Sequence, residues 1–121
     1  MHNPGMVEVV VTDEFECWYE DLEERDAEEV YVKVELLQEK GVALGFPHSS
    51  AIKGSRIALR ELRVQSAGRP LRVFYAFDPS RNAVLLVGGD KTGNEQFYDQ
   101  YIARAERIWR DYLEECKGEQ T

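Results

Sequence analysis

The chain has 121 residues, of which 43% are hydrophobic, and its formal net charge at pH 7 is −8. This length is typical of one domain, and this apolar content is sufficient for one hydrophobic core. The sequence has no apolar run long enough for a membrane-spanning helix, and residues 1–6 lack the basic start and apolar stretch of a signal peptide. We therefore predict one cytoplasmic domain over residues 1–121, with a leader at 1–6, a polar tail at 114–121 and no membrane contact.

The charge is unevenly distributed along the chain. Residues 1–47 carry 13 acidic and 3 basic residues, and residues 95–121 carry 7 acidic and 4 basic residues. Residues 48–94 carry only 3 acidic residues but 8 basic ones. A uniformly acidic surface would repel nucleic acid, whereas this middle segment is a candidate anion-binding site. Avoidance of acidic residues by strands would explain the few acids but not the surplus of arginines.

Cysteine, histidine and glycine give no pattern of a metal or nucleotide site. Cys17 and Cys116 lie in helical patterns near opposite ends of the chain, and we predict two unpaired, buried thiols in a reducing cytoplasm rather than a disulfide. No Cys and His cluster has the spacing of a zinc site. The glycine-rich stretch 88–93 lacks the lysine and hydroxyl pattern of a P-loop. We therefore predict no metal and no cofactor.

The first part of the chain predicts one strand and two helices. The β-branched segment 7–11 is typical of a strand. A capping pattern, in which an acidic residue follows three positions after an aspartate, starts one helix at Asp13 and a second at Asp26, and Gly41 ends the second. Apolar stripes at helical spacing are Phe15, Trp18, Tyr19 and Leu22 in the first helix, and Ala27, Val30, Tyr31, Val34 and Leu37 in the second. Two short, closely joined helices predict an antiparallel hairpin.

The second part predicts three strands and a last helix. Glycine, proline and serine over residues 41–55 indicate a long loop. The segments with strand composition are then 57–65, 71–78 and 83–87, with turns at 66–70 and 78–82. Gly88 and Gly89 are expected to end the third of these strands, and Asn94 is expected to cap a helix whose apolar stripe runs from Phe97 to Leu113.

These elements predict an α+β fold with the order β-α-α-β-β-β-α. Three successive strands with short turns should form an antiparallel meander, to which the first strand adds at an edge or in the centre. We expect the helical hairpin and the C-terminal helix to pack on one face, in two layers, with the other face open. Arg72 should project on the side of its strand opposite Val73 and Tyr75.

The order of the elements and several local motifs resemble a known family. The motifs are ELRV at 61–64, GRPLRVFYAF at 68–77, GGDKTG at 88–93 and the pair Phe97-Tyr98. Over residues 7–113 the chain resembles the RelE/ParE toxin superfamily, and most closely its HigB-like, phage Gp49-like branch. Each motif alone is weak, but their order and spacing together are fairly specific.

The resemblance implies the toxin of a type II toxin–antitoxin system, a metal-independent endoribonuclease that cuts mRNA in the ribosomal decoding site. It also implies a small cognate antitoxin as partner, typically a helix-turn-helix DNA-binding protein. In this chemistry the ribose 2′-hydroxyl attacks the adjacent phosphate. The reaction requires a base near the hydroxyl, cations for the developing phosphorane charge and an acid for the leaving 5′-oxygen.

Two arginines match the family as catalytic candidates. Arg72 matches the arginine that opens the central strand after a glycine-containing turn, and its forked, permanent charge suits a phosphate in the transition state. The alternative for Arg72 is a surface or ion-paired strand arginine. Arg63 matches the Leu-Arg of the preceding strand, where it would either contact substrate or pair with Glu61 or a neighbouring strand.

Lys91 and Tyr98 complete the catalytic set that the resemblance implies. Lys91 would bind phosphate or act as the general acid, and the alternative is an exposed loop lysine. A free phenol, with a pKa of about 10, is a poor base at neutral pH. We expect Arg72 and Lys91 to lower the pKa of Tyr98 and make it competent as a base. The alternative is that Tyr98 packs beside Phe97 at the helix start.

Three further cations precede the catalytic positions. Lys53, Arg56 and Arg60 are predicted to bind the RNA or ribosomal RNA backbone. His48 has the side chain of a general acid or base, but it lies in a predicted loop far in sequence from His2. A loop histidine without a catalytic role is therefore the favoured interpretation.

The chain departs from the better-known toxins in two ways. Those toxins are usually basic, whereas this chain is acidic, and Glu61 stands where some relatives carry lysine. Two alternatives to the nuclease therefore remain: a catalytically weakened or inactive binding module of the same fold that acts with its antitoxin, and a gyrase-directed toxin. The joint presence of Arg72, Lys91 and Tyr98 favours the nuclease.

Overall fold

A computed structural model describes residues 5–119, and in it a five-stranded sheet is flanked by helices. In chain order the elements are β1 (Val9–Val11), α1 (Asp13–Glu20), α2 (Glu24–Lys40), β2 (Ser49–Ala51), β3 (Arg60–Ser66), β4 (Arg69–Phe77), β5 (Ala83–Asp90) and α3 (Phe97–Glu119). The predicted α+β class is confirmed, and β2 is an additional strand inside the predicted loop. Residues 1–4 of the predicted leader and the last two residues of the predicted tail lie outside the described range.

The strands are arranged in the order β1-β5-β4-β3-β2. As predicted, β3, β4 and β5 form an antiparallel meander. The first strand, β1, pairs in parallel with β5 at one edge, and β2 pairs antiparallel with β3 at the other. The register places Arg63 opposite Arg72 and Glu61 opposite Phe74. Because side chains of a strand alternate between faces, these four side chains share one face of the sheet.

The core lies on both faces of the sheet, so the prediction of two layers with an open face was wrong. On one face, the buried residues between the sheet and α1 and α2 include Val30, Leu37, Leu62, Val73, Tyr75 and Leu85. On the other face, the residues between the sheet and α3 include Leu59, Phe74, Leu86, Phe97, Ala105 and Ile108. Most side chains on both faces of β4 and β5 are apolar, so helices pack against both faces.

The helix ends differ from the prediction at two N-termini. Thr12, not Asp13, is the N-cap of α1, and its Oγ1 accepts a hydrogen bond from the Phe15 N–H at 3.2 Å. Asp26 lies inside α2 rather than capping it, and its side chain is buried. Gly41 ends α2 as predicted, with a φ of 58° that favours glycine.

Two glycines that were expected to end a strand lie within β5. Gly88 and Gly89 are buried, and a Cβ on Gly89 would lie 2.6 Å from the ring of Tyr101. A Cβ on Gly88 would collide with the ring of Trp18. The glycines therefore allow one aromatic ring to lie flat against each face of β5, and they do not break the strand.

The C-terminal prediction also needs correction. Helix α3 continues to Glu119, so most of the predicted polar tail is helical. Cys17 and Cys116 are free, as predicted, but Cys17 is exposed and Cys116 is partly exposed, so the prediction of buried thiols was wrong.

Candidate active site

The candidate site lies where β3 and β4 meet the first turn of α3. Asn94 was predicted to cap α3, but it lies three residues before the helix begins, and its Oδ1 accepts from the Gln96 N–H at 3.0 Å while its backbone carbonyl accepts from the Phe97 N–H. These hydrogen bonds form a turn that leads into α3, whose first turn carries Tyr98 next to Glu61. The edge-on contact between the rings of Tyr98 and Phe74 fixes the side chain there, with centroids 6.2 Å apart.

Glu61 is the centre of the site. Its Oε1 accepts a hydrogen bond from the Tyr98 hydroxyl at 2.8 Å, and its Oε2 accepts from the Ser50 hydroxyl at 3.0 Å. Arg72 Nε lies 3.4 Å from Oε1, and a terminal nitrogen of Arg63 lies 3.6 Å from Oε2. With 6% of its side chain exposed, Glu61 is a buried carboxylate held by groups from β2, β3, β4 and α3.

Arg72 is the most enclosed of the cations in the site. Its side chain is 5% exposed, and one terminal nitrogen donates to the Leu71 carbonyl at 3.0 Å. Its Nε lies within ion-pair distance of Glu61, yet within residues 5–119 this nitrogen has no hydrogen bond of good geometry. A buried donor without an acceptor is costly, and an anion that supplied one would be bound favourably.

Tyr98 has a raised pKa, so the predicted net lowering of its pKa was wrong, although Arg72 acts in the predicted direction. Burial is the main cause, and the hydrogen bond to Glu61 also raises the pKa of the phenol, while Arg72 opposes both. Lys91 Nζ lies over the aromatic face, 5.1 Å from the ring centroid, rather than beside the hydroxyl. Tyr98 therefore keeps its proton at neutral pH and has the chemistry of a donor.

A cleft of about 240 Å³ opens beside this cluster. Its lining residues are Ala51, Ile52, Lys53, Glu61, Tyr98 and Ile102. Lys53, which the sequence analysis assigned to RNA binding, is exposed and lies at the cleft that Glu61 and Tyr98 also line. The structure therefore brings Lys53 to the same cleft as Tyr98, while Arg63, Arg72 and Lys91 do not line it.

Arg60 lies apart from this cluster. Its Nε is 3.2 Å from the Ser49 hydroxyl oxygen and 3.3 Å from the Tyr75 hydroxyl oxygen, and a terminal nitrogen donates to the Leu44 carbonyl at 3.4 Å. Tyr75 and Leu44 belong to the core on the α1 and α2 side. The Arg60 guanidinium therefore joins a loop to the face of the sheet opposite Glu61.

Arg56 and His48 also lie outside the cluster around Glu61. Arg56 is exposed, and its backbone N–H donates to Glu106 of α3 at 2.6 Å. His48 Nδ1 lies 2.8 Å from Lys33 Nζ. Because an ammonium group only donates, His48 Nδ1 accepts here, and the hydrogen bond anchors the predicted loop to α2.

Glu61 and Ser50 belong to the site, but neither was predicted as a member of it. Glu61 was considered as a partner of Arg63, which the 3.6 Å ion pair now shows, but not as the group that joins four elements. Ser50 had no signal in the sequence, because a serine in a glycine-rich loop is typical of a turn.

Comparison with known proteins places the chain in a family. Residues 17–110 match the model of the family described as "Phage derived protein Gp49-like (DUF891)". The chain belongs to the Gp49-like family. Two relatives, HigB2 and HigB3 of Mycobacterium tuberculosis, are both named as toxins. HigB2 is 38% identical over 80% of this chain, and HigB3 is 35% identical over 87% of this chain and 92% of its own length.

The match to HigB2 spans 50% of that relative, so this Gp49-like chain covers about half of it. The solved structure of a free-state mutant of the E. coli toxin RelE is similar in fold, with a TM-score of 0.60 over 84% of this chain and 96% of RelE. The identity to RelE is 11%, so this likeness concerns the fold. The predicted membership of a HigB-like branch with a RelE-like fold is confirmed.

Two further findings concern the described part of the Gp49-like chain. Within residues 5–119, no group of three or more His, Cys, Asp or Glu side chains is arranged to hold a metal ion. None of the helices described is both long enough and apolar enough to cross a membrane.

Proposed function

We propose that the chain is the toxin of a type II toxin–antitoxin system and acts as a metal-independent endoribonuclease on mRNA at the ribosome. Membership of the Gp49-like family and similarity to HigB2 and HigB3 support the toxin assignment. One observation carries the nuclease assignment: Arg72, Arg63 and Tyr98 all contact Glu61, and Lys91 lies over the ring of Tyr98, so the four residues form one cluster in an otherwise acidic protein.

In the proposed reaction the arginines bind the scissile phosphate. Arg72 presents a planar fork of donors, including the buried Nε that has no good hydrogen bond in the described chain, and a phosphate oxygen would supply its acceptor. Arg63 is 32% exposed and can approach the phosphate from the solvent side. Fixed cations in a partly dry site stabilise the phosphorane charge more strongly than they would in water.

Tyr98 is proposed as the general acid. Because its pKa is raised, the phenol carries a proton that it can give to the departing 5′-oxygen. Lys91, which lies over the ring of Tyr98, contributes positive charge to the RNA backbone beside it. This assignment replaces the base role that the sequence suggested for Tyr98.

The proposed partner is a cognate antitoxin, a helix-turn-helix protein in the same cytoplasm, and one surface suits it. An apolar groove of about 320 Å³ lies between β1, α1 and α2, and is lined by Val11, Phe15, Glu16, Tyr19, Tyr31, Val34 and Leu85. Tyr31 is 55% exposed there, and the exposed Glu28 and Glu35 lie one turn to either side of it on α2. An apolar groove with an acidic rim suits a basic, amphipathic helix of the antitoxin.

The nuclease proposal is tested by induced expression of the wild type, Arg72→Ala and Arg107→Ala, with primer extension on cellular mRNA. Arg107 is an exposed arginine of α3 and serves as the control for loss of a positive charge. We expect growth arrest and mRNA cleavage with the wild type and Arg107→Ala, and neither with Arg72→Ala. Equal growth without cleavage in all three strains would refute the nuclease.

A second candidate function is a binding module of the same fold without catalysis. The observation in its favour is the ion pair between Glu61 and Arg72, which neutralises the main phosphate-binding cation. This alternative predicts that the wild type and Arg72→Ala leave mRNA equally intact while both still bind the antitoxin. The same expression experiment therefore distinguishes the two functions.

A further inference from the structure

Phe46 is a large apolar side chain that the fold leaves in solvent at the edge of the candidate site. It lies in the segment between α2 and β2 and is 77% exposed. A single exposed apolar residue needs no explanation by itself. Phe46 differs because the guanidinium of Arg63 lies over its ring, with Cζ 5.4 Å from the ring centroid. Arg63 is one of the arginines proposed to bind the scissile phosphate, so an exposed aromatic ring stands beside the phosphate site.

We propose that Phe46 is a nucleobase-binding residue, on which the base of an mRNA nucleotide beside the cleaved phosphodiester stacks. The inference rests on the proposed ribonuclease function and deepens it, because it adds a base contact to the proposed phosphate contacts. A phenylalanine ring offers a flat π-face, and unpaired bases of single-stranded RNA are commonly held by stacking on such rings.

The position of Arg63 connects this ring to the phosphate site. One terminal nitrogen of Arg63 lies 3.6 Å from Glu61, and the pairing of β3 with β4 places Arg63 opposite Arg72. Arg63 therefore lies between the ring of Phe46 and the carboxylate that also contacts Arg72. A base and its phosphate are joined through one ribose. An aromatic ring next to phosphate-binding cations thus matches the two ends of a single nucleotide.

The segment that carries Phe46 is held on both sides of the ring. Before the ring, the Gly45 carbonyl accepts from the His48 N–H at 3.0 Å. After it, the His48 carbonyl accepts from the Arg63 N–H at 2.8 Å, and His48 Nδ1 accepts from Lys33 at 2.8 Å. A ring that is held in place before binding loses little conformational freedom when a base stacks on it, which favours affinity.

The surroundings of Phe46 favour RNA over the antitoxin as its partner. The cation beside the ring attracts a polyanion, whereas it would repel the basic helix proposed for the antitoxin. Phe46 also does not line the apolar groove between β1, α1 and α2, where that helix is proposed to bind. Because every base has a π-face, stacking on Phe46 would hold the message in the site without selecting a codon.

The test measures the affinity of fluorescently labelled toxin for purified ribosomes that are programmed with a 2′-O-methylated mRNA, which cannot be cleaved. One message is intact, and each of the others carries a single abasic nucleotide at one position in or beside the decoding-site codon. The proteins are wild type, Phe46→Leu, Phe46→Trp and Val42→Ala. Leucine removes the aromatic face and tryptophan keeps one. Val42 is the matched control, because it is a 74% exposed apolar residue in the same segment.

We expect removal of the base at one position to weaken wild-type binding by about 5- to 150-fold, the range for stacking one base on an aromatic side chain. Phe46→Leu should bind the intact message more weakly by a similar factor, and removal of the same base should have no further effect on it. Phe46→Trp should keep the dependence on that base, and Val42→Ala should bind like wild type.

Wild-type binding that is indifferent to every abasic position would overturn the inference without any variant. Equal losses by Phe46→Leu on intact and abasic messages would also overturn it, and would assign the ring to ribosomal RNA or to the fold.

Two further outcomes concern the antitoxin and the nuclease. If Phe46→Leu binds the intact message like wild type but fails to bind the antitoxin in calorimetry, the ring belongs to the antitoxin surface and the inference is overturned. If wild type shows the dependence on one base but cleaves no unmethylated message, the nuclease proposal alone is refuted, because binding does not require cleavage.

Discussion

The hydroxyl of Tyr98 donates to Oε1 of Glu61 across 2.8 Å, and this hydrogen bond joins the first turn of α3 to β3. The two residues are 37 positions apart in the chain. One contact therefore links the packing of the last helix to the orientation of the proposed acid. Loss of the Tyr98 hydroxyl should affect activity more than stability, whereas loss of the Glu61 carboxylate would leave the buried Arg72 without its ion-pair partner.

The first prediction concerns Tyr98→Phe. Loss of the hydroxyl removes the proposed acid, so we expect cleavage to fall by about 100-fold or more. Loss of one hydrogen bond should lower the free energy of unfolding by only about 1 kcal/mol. Tyr101→Phe, one turn further along the same helix, is the control and should cleave normally. Normal cleavage by Tyr98→Phe would remove the residue from the mechanism.

A second prediction concerns stability at alkaline pH. Burial and a carboxylate acceptor, Glu61 for Tyr98 and Asp78 for Tyr112, raise the pKa of both phenols above the ordinary value of 10.0. Below pH 10 the protonated phenols stabilise the fold fully. As the pH rises from 10 through the raised values, the unfolded chain loses these protons first, so the free energy of unfolding must fall.

The measurement is urea denaturation on either side of pH 10, together with the ultraviolet absorbance of tyrosinate. Tyr98 and Tyr112 should titrate above the ordinary phenol value of 10.0 in the folded protein. Tyr112→Phe should show a shallower loss of stability above pH 10 than the wild type. Identical slopes for the two proteins would mean that the hydrogen bond to Asp78 has no such effect.

Much of the fold could be predicted from the sequence, because its signals are local. The alternation from Arg72 onward predicted which face of β4 each side chain would take, and Gly41 predicted the end of α2. The strand β2 was missed because Ser49–Ala51 has no strand composition and depends on pairing with β3. The cover on both faces was missed because it depends on where α3 lies, which periodicity alone does not specify.

The site could be predicted only in part. Motif spacing named Arg72, Lys91 and Tyr98, and the structure brings them together. The raised pKa of Tyr98 depends on burial and on Glu61, neither of which has a signal near position 98. The contact between Lys91 and the ring of Tyr98 was likewise not predicted. It depends on the turn before α3, which places the ammonium group over the aromatic face.

A third prediction concerns the glycines within β5. A Cβ on Gly89 would lie 2.6 Å from the Tyr101 ring, and the ring lies between the strand and α3. We expect Gly89→Ala to displace Tyr101 and to lower the free energy of unfolding by about 1–3 kcal/mol, the range for overpacked cores. Because α3 also carries Tyr98, cleavage should fall too. Gly45→Ala is the control, because a Cβ at Gly45 would meet open space. Gly93→Ala is unsuitable as a control, because Gly93 has a φ of 65° that disfavours alanine.

Thermal unfolding monitored by circular dichroism is the measurement for these variants. Gly45→Ala should unfold close to the wild-type temperature. If Gly89→Ala also unfolded close to the wild-type temperature, the added Cβ would be accommodated beside the Tyr101 ring without a loss of stability. That result would contradict the explanation given for glycine at this position.

A fourth prediction separates the cations that bind RNA from the one that supports the fold. Lys91→Met should reduce the slope of log affinity against log salt by about 0.7, the value for one contact with a single-stranded phosphate. Arg60→Gln should leave that slope unchanged and lower stability instead, because the guanidinium is held by Ser49, Tyr75 and Leu44. The measurement is fluorescence anisotropy of a 2′-O-methylated RNA oligonucleotide, which cannot be cleaved, at several salt concentrations. A reduced slope for Arg60→Gln would restore Arg60 to the RNA-binding surface.

The last prediction tests the apolar groove between β1, α1 and α2 as the antitoxin site. Tyr31→Arg places a positive charge in the groove where the proposed basic helix would lie, so the antitoxin should neutralise this variant poorly. Val32→Arg is the matched control, because Val32 is 56% exposed on the same helix but does not line the groove. Growth on co-expression with the antitoxin, and calorimetry of the purified pair, measure the difference. Since neither residue contacts the candidate active site, both variants should cleave mRNA like wild type without antitoxin. Equal neutralisation of the two would place the antitoxin on another surface.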